Sequence, residues 1–370
     1  MDSRPNAEFH GSYLPGDVQF LLKQVSLAPT DVATKERLIQ SGRAHYSTML
    51  SAEHPPGPAY LELFHEALDR NGDRLARDLA ALARTLAARA RPGGEVVLTS
   101  LARAGTPVGV LLRRALATIG IPSTHYSISI IRDRGIDAAA LDYILARHDA
   151  ADVVFLDGWT GKGSIAGELE ASITRYNAER GTALDPGLAV VVDLAGVAAV
   201  AVTAEDYLIP SSVLNAVVSG LVSRTLLHDT LVLPGDFHAC VYYEHLTPHD
   251  LSRHFVDTLT PRVGTHLGSS GPVTWDAGKR AELQAASDAF IARVSGEFGV
   301  SNRHRIKPGI GESTRALLRR VPERLLIADP SARDLLHLGL LAQQKQVPVH
   351  HVPDLPYRAT AIIREVRDDV

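Results

Sequence analysis

The sequence has 370 residues, of which 45% are hydrophobic and 22% charged, and its formal net charge is −4 at pH 7. This length indicates two domains, and the balanced charge gives no overall signal for nucleic acid. No apolar run reaches the roughly 18 residues of a membrane span, the N-terminus lacks a signal-peptide pattern, and the single cysteine excludes an intramolecular disulfide. We therefore expect a cytoplasmic protein with no membrane contact.

The first 91 residues begin as a polar, proline-rich segment, and alanines and leucines then recur at helical spacing over residues 60–91, which predicts long helices. From residue 92 onward, short apolar runs alternate with helical patterns. The apolar runs are EVVLTS (95–100), HYSISII (125–131), VVFLD (153–157) and LAVVVD (188–193). This alternation predicts an α/β fold, a doubly wound and mostly parallel sheet. Its continuously apolar strands indicate a sheet covered on both faces.

The remaining third of the chain starts with residues 210–230, whose pattern predicts a helix. Residues 264–272 have the composition of a linker, and a helix is expected near 276–297. Residues 303–366 then predict a final βαβ-like unit, with ERLLIAD and VPVHHV as strands. A small α/β domain is therefore expected at the C-terminus.

Val153–Ile165, VVFLDGWTGKGSI, joins an apolar run to a glycine-rich turn. It is not a Walker A loop, because a glycine follows Lys162, and its glycine spacing does not match the dinucleotide fingerprint. Backbone N–H groups at the start of the next helix would converge on an anion. Asp157 would bond ribose hydroxyls or hold a metal ion through water. The predicted phosphate-binding residues are Thr160, Gly161, Lys162, Gly163 and Ser164. The alternative is an ordinary tight turn.

A second turn, LARAGTPVG at residues 101–109, also follows an apolar strand. The backbone amides of Ala104 and Gly105 would approach a second anion, and Arg103 would pair with it in a bidentate manner. The alternative is that Arg103 forms a surface ion pair. Two anion-binding turns on one sheet predict a substrate with two separated phosphate groups.

These motifs resemble those of type I phosphoribosyltransferases over about residues 90–230. SLARAGTPVG is similar to their pyrophosphate loop, FLDGWTGKGSI to their loop for phosphoribosyl pyrophosphate (PRPP), and HYSISIIRDRGID to their flexible catalytic hood. The chain departs from the family at Gly158, where most members carry a second acid. Almost the whole sequence also resembles the phosphoribosyltransferase–pelota fusion proteins of bacterial tellurite-resistance stress clusters, some of which carry the name cysteine protease StiP.

The resemblance implies transfer of phosphoribosyl from PRPP to a nucleobase-like acceptor with release of pyrophosphate, making a nucleoside-like metabolite. Mg²⁺ on the pyrophosphate, held through water by Asp157, and Arg103 would stabilise the leaving oxygens. Arg132 and Arg134 on the hood would close over the site and exclude water, or else lie on a solvated loop. Candidates for base recognition are Arg43, Tyr46, Ser212 and Asn215. A homo-oligomer is also expected.

The C-terminal stretch GIGESTR, residues 309–315, resembles the G-x-N-E-x-T-K element of L7Ae-type and pelota RNA-binding domains. Gly311 replaces the asparagine of that element and Arg315 its lysine, and the upstream RHRIK (303–307) adds charge suited to phosphate. The candidates for RNA contact are Lys307, Gly309, Glu312 and Arg315. The alternative is a capped helix start with Lys307 and Arg315 in solvent.

The predicted organisation has four parts. They are a helical segment and possible base hood (1–91), a phosphoribosyltransferase core (92–265), a linker and helix (266–300), and a pelota/L7Ae-like domain (301–370). Two other functions stay open: a PRPP-sensing RNA-binding regulator without catalysis, and a cysteine protease. The protease would use Cys240 as nucleophile with His238 or His245 as base, although a lone cysteine among aromatic residues is usually buried and inert.

Overall fold

The computed structural model describes residues 8–365, so the outer ends of the first and last predicted parts, 1–7 and 366–370, lie outside it. The helices are α1 (Val32–Gln40), α2 (Pro58–Arg89), α3 (Gly105–Thr118), α4 (Ala138–Leu145), α5 (Ser164–Arg180), α6 (Ser252–Leu267), α7 (Ala277–Glu297), α8 (Ile310–Arg319) and α9 (Leu336–Gln344). Within the described part of the chain, no helix is both long enough and apolar enough to cross a membrane.

The strands confirm the predicted α/β fold. They are β1 (Gln19–Phe20), β2 (Lys23–Gln24), β3 (Val96–Leu101), β4 (Ser123–Ile128), β5 (Ile130–Ile131), β6 (Gly135–Ile136), β7 (Val153–Thr160), β8 (Leu188–Asp193), β9 (Val200–Thr203), β10 (Ala239–Cys240), β11 (Ile306–Pro308), β12 (Pro322–Ile327), β13 (Val349–His351) and β14 (Ala359–Ile363). The central sheet has the order β1-β4-β3-β7-β8-β9, and every neighbouring pair is parallel.

The strand order changes direction between β3 and β7. From β3 the chain adds β4 on one side, crosses back, and then adds β7, β8 and β9 on the other side. Open α/β sheets bind ligands at such a switch point, outside the carboxyl ends of the strands. The turns that follow β3 and β7 are the two glycine-containing turns that the sequence singles out.

Both faces of the sheet are covered, as the continuously apolar strands predict. Along β8, Ala189 and Val191 pack into one hydrophobic cluster with α2, α3 and α6, while Leu188 and Val190 pack into another with α4 and α5. Successive side chains of a strand point to opposite faces, so a strand buried on both faces must be apolar throughout. The predicted helix over residues 60–91 is confirmed as α2.

The helix predicted over residues 210–230 is wrong. This segment forms two short 3-10 helices, Pro210–Val213 and Ala216–Val218. Its small residues are buried because the segment fills the core, and side chains satisfy its carbonyls: the Tyr60 hydroxyl donates to Val213 at 2.8 Å and the Tyr13 hydroxyl to Val218 at 3.0 Å. The closely spaced small residues of this segment therefore reflect its burial in the core and not a helical period.

The C-terminal sheet has the order β11-β14-β12-β13, and the unit β12-α9-β13 is the predicted parallel βαβ unit. Strand β14 lies between β11 and β12, antiparallel to both, and the sequence did not indicate it. Helix α6 extends to Leu267 and so includes the start of the predicted linker. The boundaries of the four parts stay predictions.

Gly109 allows α3 to pack against β4. A Cβ atom at this position would overlap the imidazole ring of His125, which is fixed between the Ser100 hydroxyl and the Asp17 carbonyl, both at 2.9 Å. We expect Gly109→Ala to lower the free energy of unfolding by about 1–3 kcal/mol, because the core is too tightly packed to accept the methyl group. Urea denaturation followed by circular dichroism measures the change.

The matched control is Gly264→Ala, since Gly264 also lies within a helix but has no atom within 4 Å of a built Cβ. Alanine is the better helix former, so this variant should be as stable as the parent or more stable by up to about 1 kcal/mol. Equal effects of the two substitutions would contradict this explanation of Gly109.

Candidate functional site

A cavity of about 700 Å³, the main cleft, lies between the carboxyl end of β7, the start of α5, residues 51–60 and the C-terminal helix α8. Eight basic and three acidic side chains line it. The basic ones are Lys35, Arg132, Lys162, Arg224, Lys307, Arg315, Arg319 and Arg320, and the acidic ones are Glu53, Asp157 and Glu312. The walls of the cleft therefore carry a clear excess of positive charge.

A smaller cavity of about 130 Å³, the inner pocket, lies beside the main cleft. Residues 101–104 and Asp157 border it, so the two turns that the sequence singles out face the same space. The turns are also close to each other, because a Cβ on Gly105 would lie 2.7 Å from the carbonyl oxygen of Leu156. Ala104 borders the inner pocket, and Gly105 begins α3.

Five buried polar atoms on residues that line the inner pocket have no hydrogen-bond partner within the part of the chain that the structure describes. They are Arg103 Nε, Trp159 Nε1, Ser211 Oγ, Ser212 Oγ and Arg224 Nη1. The three nitrogens can only donate, and the two hydroxyls can donate or accept. A buried donor without an acceptor costs about 1–3 kcal/mol. The inner pocket therefore has the chemistry of a site for an acceptor-rich group.

Arg103 is not the surface arginine of the alternative interpretation. Its side chain is buried, forms an ion pair with Glu53, and donates from Nη1 to the Val222 carbonyl at 2.6 Å. Although burial acts in the opposite direction, the Arg103 guanidinium holds the pKa of the Glu53 carboxyl below its usual value. Nε of Arg103 has no partner among residues 8–365, and Nη1 and Nη2 each carry a second N–H group, so the bidentate pair with an anion stays a prediction.

The sequence predicted Asp157 at the end of its strand. The residue instead lies within the strand, because β7 continues to Thr160 through pairing with β8. Its side chain borders both the main cleft and the inner pocket. Burial raises the pKa of Asp157 to about 6, although the Arg315 charge and the N–H group of Gly158 oppose this shift. A carboxyl group with this pKa can exchange a proton near neutral pH.

The glycine-rich turn borders the main cleft, but the side chains of Thr160 and Lys162 bond to other parts of the protein. The Thr160 hydroxyl donates to the buried Asp193 carboxylate at 2.6 Å. Gly163 has φ +82° and caps α5, which begins at Ser164. An L-residue rarely adopts this φ, so the turn requires glycine here. Phosphate binding by the backbone of this turn stays a prediction.

Lys162 points from this turn into the C-terminal domain. Its ammonium group donates to the carbonyls of Arg303 at 2.5 Å and Ile306 at 2.7 Å. Burial, and next the positive charge of Lys307, lower the pKa of Lys162 to about 6. Lys162 therefore makes a contact between the two domains, and its role in phosphate binding stays a prediction.

The predicted hood forms the antiparallel hairpin β5–β6. Arg132 borders the main cleft, and its backbone N–H donates to the Tyr46 hydroxyl at 2.8 Å. Arg134 is exposed on the same hairpin and does not border the cleft, so the structure does not bring it into the site. Arg43 is likewise exposed in the turn after α1 and lies outside the cleft lining.

The other two candidates for base recognition border the inner pocket. Ser212 is buried, and its hydroxyl has no partner in the described range 8–365, whereas Asn215 accepts a bond from Arg319 Nε at 2.7 Å. The sequence did not indicate Glu53, Arg224 or Arg319 as site residues. Arg224 and Arg319 each carry a charge beside an apolar run, VVSGLVSR and RALLR, and that signal could have drawn attention to them.

The Mg²⁺ prediction placed the ion on pyrophosphate with Asp157 as a protein contact through water. Among residues 8–365, no three His, Cys, Asp or Glu side chains group together as a set that could hold a metal ion. Asp157 therefore does not belong to a multidentate protein site for a cation. Mg²⁺ that arrives with a ligand stays a prediction.

Cys240 lies on β10, which pairs with β2, and its thiol is fully buried. Burial raises the pKa of Cys240 to about 12. The imidazole of His238 contacts the Ser129 hydroxyl through Nδ1 at 2.8 Å, while His245 is exposed. The thiol is therefore protonated and covered in this conformation, whereas a cysteine nucleophile reacts as the thiolate.

Comparison with known proteins gives two family matches. A family described as tellurite-like stress resistance cysteine protease StiP matches residues 11–260, and a PELOTA RNA binding domain matches residues 285–365. A cysteine protease StiP from Acinetobacter baylyi is 41% identical over 368 residues, which cover 97% of this chain and 95% of the relative. A mutant Trypanosoma cruzi hypoxanthine phosphoribosyltransferase in complex with IMP is 16% identical, with a TM-score of 0.28, over 50% of this chain and 89% of its own.

These comparisons correct the predicted function. The prediction of PRPP-dependent phosphoribosyl transfer, with its nucleobase-like acceptor, is wrong because the 41% identical relative is named a cysteine protease. That name supports the alternative that assigned catalysis to Cys240. The predictions of an enzyme, of a link to tellurite-type stress resistance and of a pelota-type C-terminal domain are confirmed. The homo-oligomer stays a prediction.

The raised pKa of Asp157 predicts a pH-dependent stability. An unfolded aspartate titrates near pH 4 and the folded one near pH 6, so the folded chain binds the extra proton and loses stability as pH rises through that window. We expect Asp157→Asn to be more stable than the parent by about 1–3 kcal/mol at pH 8, with little difference at pH 4. Urea unfolding at both pH values measures this.

Asp229→Asn serves as the control, because Asp229 is an exposed carboxylate outside both cavities. It should leave the stability unchanged at either pH. An Asp157→Asn chain that is equally destabilised at pH 4 and pH 8 would show that the carboxylate is a structural partner instead.

Proposed function

This chain belongs to the tellurite-like stress resistance family StiP, and we propose that it is an enzyme that binds a phosphate-class anionic small molecule across the inner pocket and the main cleft. Four of the five unpartnered polar atoms, those of Arg103, Arg224, Ser211 and Ser212, carry the proposal, because the fifth, Trp159 Nε1, lies against Gly311 of α8. A cluster of buried donors without acceptors is costly in the empty protein. A bound oxyanion offers several acceptor oxygens and would satisfy them together.

The charge of the main cleft supports the same ligand class. Burial lowers the pKa of Lys162 to about 6 and that of Lys307 to about 8. The nearby Lys307 charge adds to the shift of Lys162, and the Arg320 charge adds to the shift of Lys307 although Glu312 opposes it. Burial and the neighbouring Arg103 charge likewise lower the pKa of Arg319. An anion in the cleft would reverse this repulsion and restore the charged forms, because opposite charges nearby favour ionisation.

Asp157 supplies the proton-transfer group in this proposal. It borders both cavities, so a ligand that extends from one to the other passes beside its carboxylate. With a pKa of about 6, it is largely ionised at pH 7 and can still accept a proton from a ligand hydroxyl. The neighbouring Arg315 charge would stabilise the ionised form between turnovers.

The two pocket serines allow a direct test. We expect the double variant Ser211→Ala/Ser212→Ala to bind inorganic phosphate at least about tenfold more weakly, because two hydrogen bonds to an anion are lost. Neither hydroxyl has a partner among residues 8–365, so the stability of the unliganded chain should not fall. Isothermal titration with phosphate and thermal unfolding without it measure the two effects.

Ser172→Ala is the matched control, because the Ser172 hydroxyl is also buried and without a partner among residues 8–365 but lies on α5 outside both cavities. It should bind phosphate like the parent. If the parent chain binds no phosphate, or if the double variant binds it unchanged, the proposed ligand class is wrong.

A second candidate function is thiol-dependent peptide hydrolysis at Cys240. The name of the Acinetobacter baylyi relative favours it, and Cys240 is the sole cysteine that could serve. In the conformation described here the thiol is buried and its pKa is about 12, so hydrolysis would require β10 to separate from β2 and expose it. His238, two residues earlier, would then have to exchange its contact with Ser129 for the thiol.

Thiol labelling and a cysteine variant separate the two candidates. From its burial we expect Cys240 in the folded chain to react with a thiol reagent at least about a hundredfold more slowly than in urea, and Cys240→Ala to keep the phosphate binding of the parent. Peptide hydrolysis by the parent that disappears in Cys240→Ala, together with rapid labelling of the folded chain, would establish the protease instead.

A further inference from the structure

The start of helix α8 faces the main cleft and not the solvent. Lys307, Glu312, Arg315 and Arg319 of the PELOTA-matched region all border that cleft. The sequence had assigned three of these residues, with Gly309, to RNA. Gly309 itself is packed away, since a Cβ there would lie 2.5 Å from Leu194.

Charge-assisted bonds hold the C-terminal domain in this position. The Asp206 carboxylate accepts the backbone N–H groups of Ile310 at 3.0 Å and Arg358 at 2.8 Å, so it fixes the first turn of α8 and the chain before β14. Asp334 accepts a bond from Arg70 of α2 at 2.8 Å. These contacts join the C-terminal domain to the rest of the chain at the start of α8, at the residue before β14, and between Asp334 and α2.

Gly311 explains how α8 comes so close to the glycine-rich turn. An added Cβ would overlap the indole ring of Trp159, so a residue with a side chain, such as the asparagine of the RNA-binding element, has no room in this packing. One turn later, the Arg315 guanidinium lies 4.3 Å from the centre of the same ring and 3.0 Å from Glu312. The GIGESTR element therefore packs on Trp159 and places Arg315 in the main cleft.

Arg319 is a second cation of α8 in the site, beside Arg315. It borders both cavities and is held by the side-chain oxygen of Asn215. Among residues 8–365 it has no carboxylate within 4.0 Å, and Arg103, Arg315 and Arg224 repel it. Arg315 and Arg319 thus present two guanidinium groups on one face of α8 to the junction of the two cavities.

We propose that the C-terminal domain supplies Arg315 and Arg319 as ligand-binding residues of the small-molecule site, in place of contacts to RNA. The inference rests on the proposed function, because it assigns these residues to the same anionic ligand. Guanidinium groups suit phosphate through parallel N–H donors. Both side chains belong to the lining of the main cleft, which residues 51–60 also border.

The test uses the full-length chain with Arg315→Gln and Arg319→Gln, which remove the charge and keep a donor for Glu312 or Asn215. We expect each variant to bind inorganic phosphate about tenfold to a hundredfold more weakly in isothermal titration. Arg333→Gln changes an exposed arginine of the same domain outside the cleft lining and should bind like the parent. Thermal unfolding of every variant identifies any that fail to fold.

A parallel titration with a fluorescent mixed-sequence RNA hairpin tests whether Arg315 and Arg319 bind RNA instead. Hairpin affinity should be the same in the parent and in all three arginine variants. Should Arg315→Gln and Arg319→Gln keep full phosphate affinity while the double serine variant loses it, this inference fails and the proposed function stands. Should the parent bind no phosphate, both fail. If Arg315→Gln or Arg319→Gln abolishes RNA binding and leaves the phosphate affinity unchanged, these arginines of α8 bind RNA and the inference is wrong.

Discussion

The main cleft carries more positive charge than the carboxylates in its lining neutralise. The proposed anionic ligand and the proposed role of the α8 arginines both depend on this imbalance. Glu53 pairs with Arg103, and Glu312 pairs with Arg315, but Arg319 and Lys162 have only neutral oxygens as partners within the described residues. Buried charges of one sign repel each other and lose hydration, so the arrangement opposes folding. Proteins keep such clusters where they bind an oppositely charged group.

Docking of the C-terminal domain makes the cleft possible. Half of the basic wall belongs to residues 307–320, and Lys162 from the central domain donates to the backbone at Arg303 and Ile306. The bonds that join the domains therefore also position the charges. In the function proposed above, a domain that matches an RNA-binding family forms one wall of a small-molecule site, in line with the rule that a fold does not fix a function.

The sequence predicted the sheet and the location of the site, but not the site's composition. Strands such as β8 are apolar on both faces, so their pattern is a local property, and the turns after β3 and β7 had to meet at the switch point. Glu53, Arg224 and Arg319 come from distant segments and meet only through tertiary packing. The helix expected over 210–230 failed for a similar reason, since tyrosines distant in sequence satisfy its carbonyls. The predicted reaction failed because anion-binding turns serve many unrelated chemistries.

Anion binding in the inner pocket can be tested with a crystal of the full chain soaked in tungstate, because tungsten scatters anomalously. We expect an anomalous peak in the inner pocket, with oxyanion atoms within hydrogen-bond distance of Arg103 Nε and Ser212 Oγ. Peaks confined to exposed surface arginines, with the inner pocket free of tungstate at full soaking concentration, would contradict it.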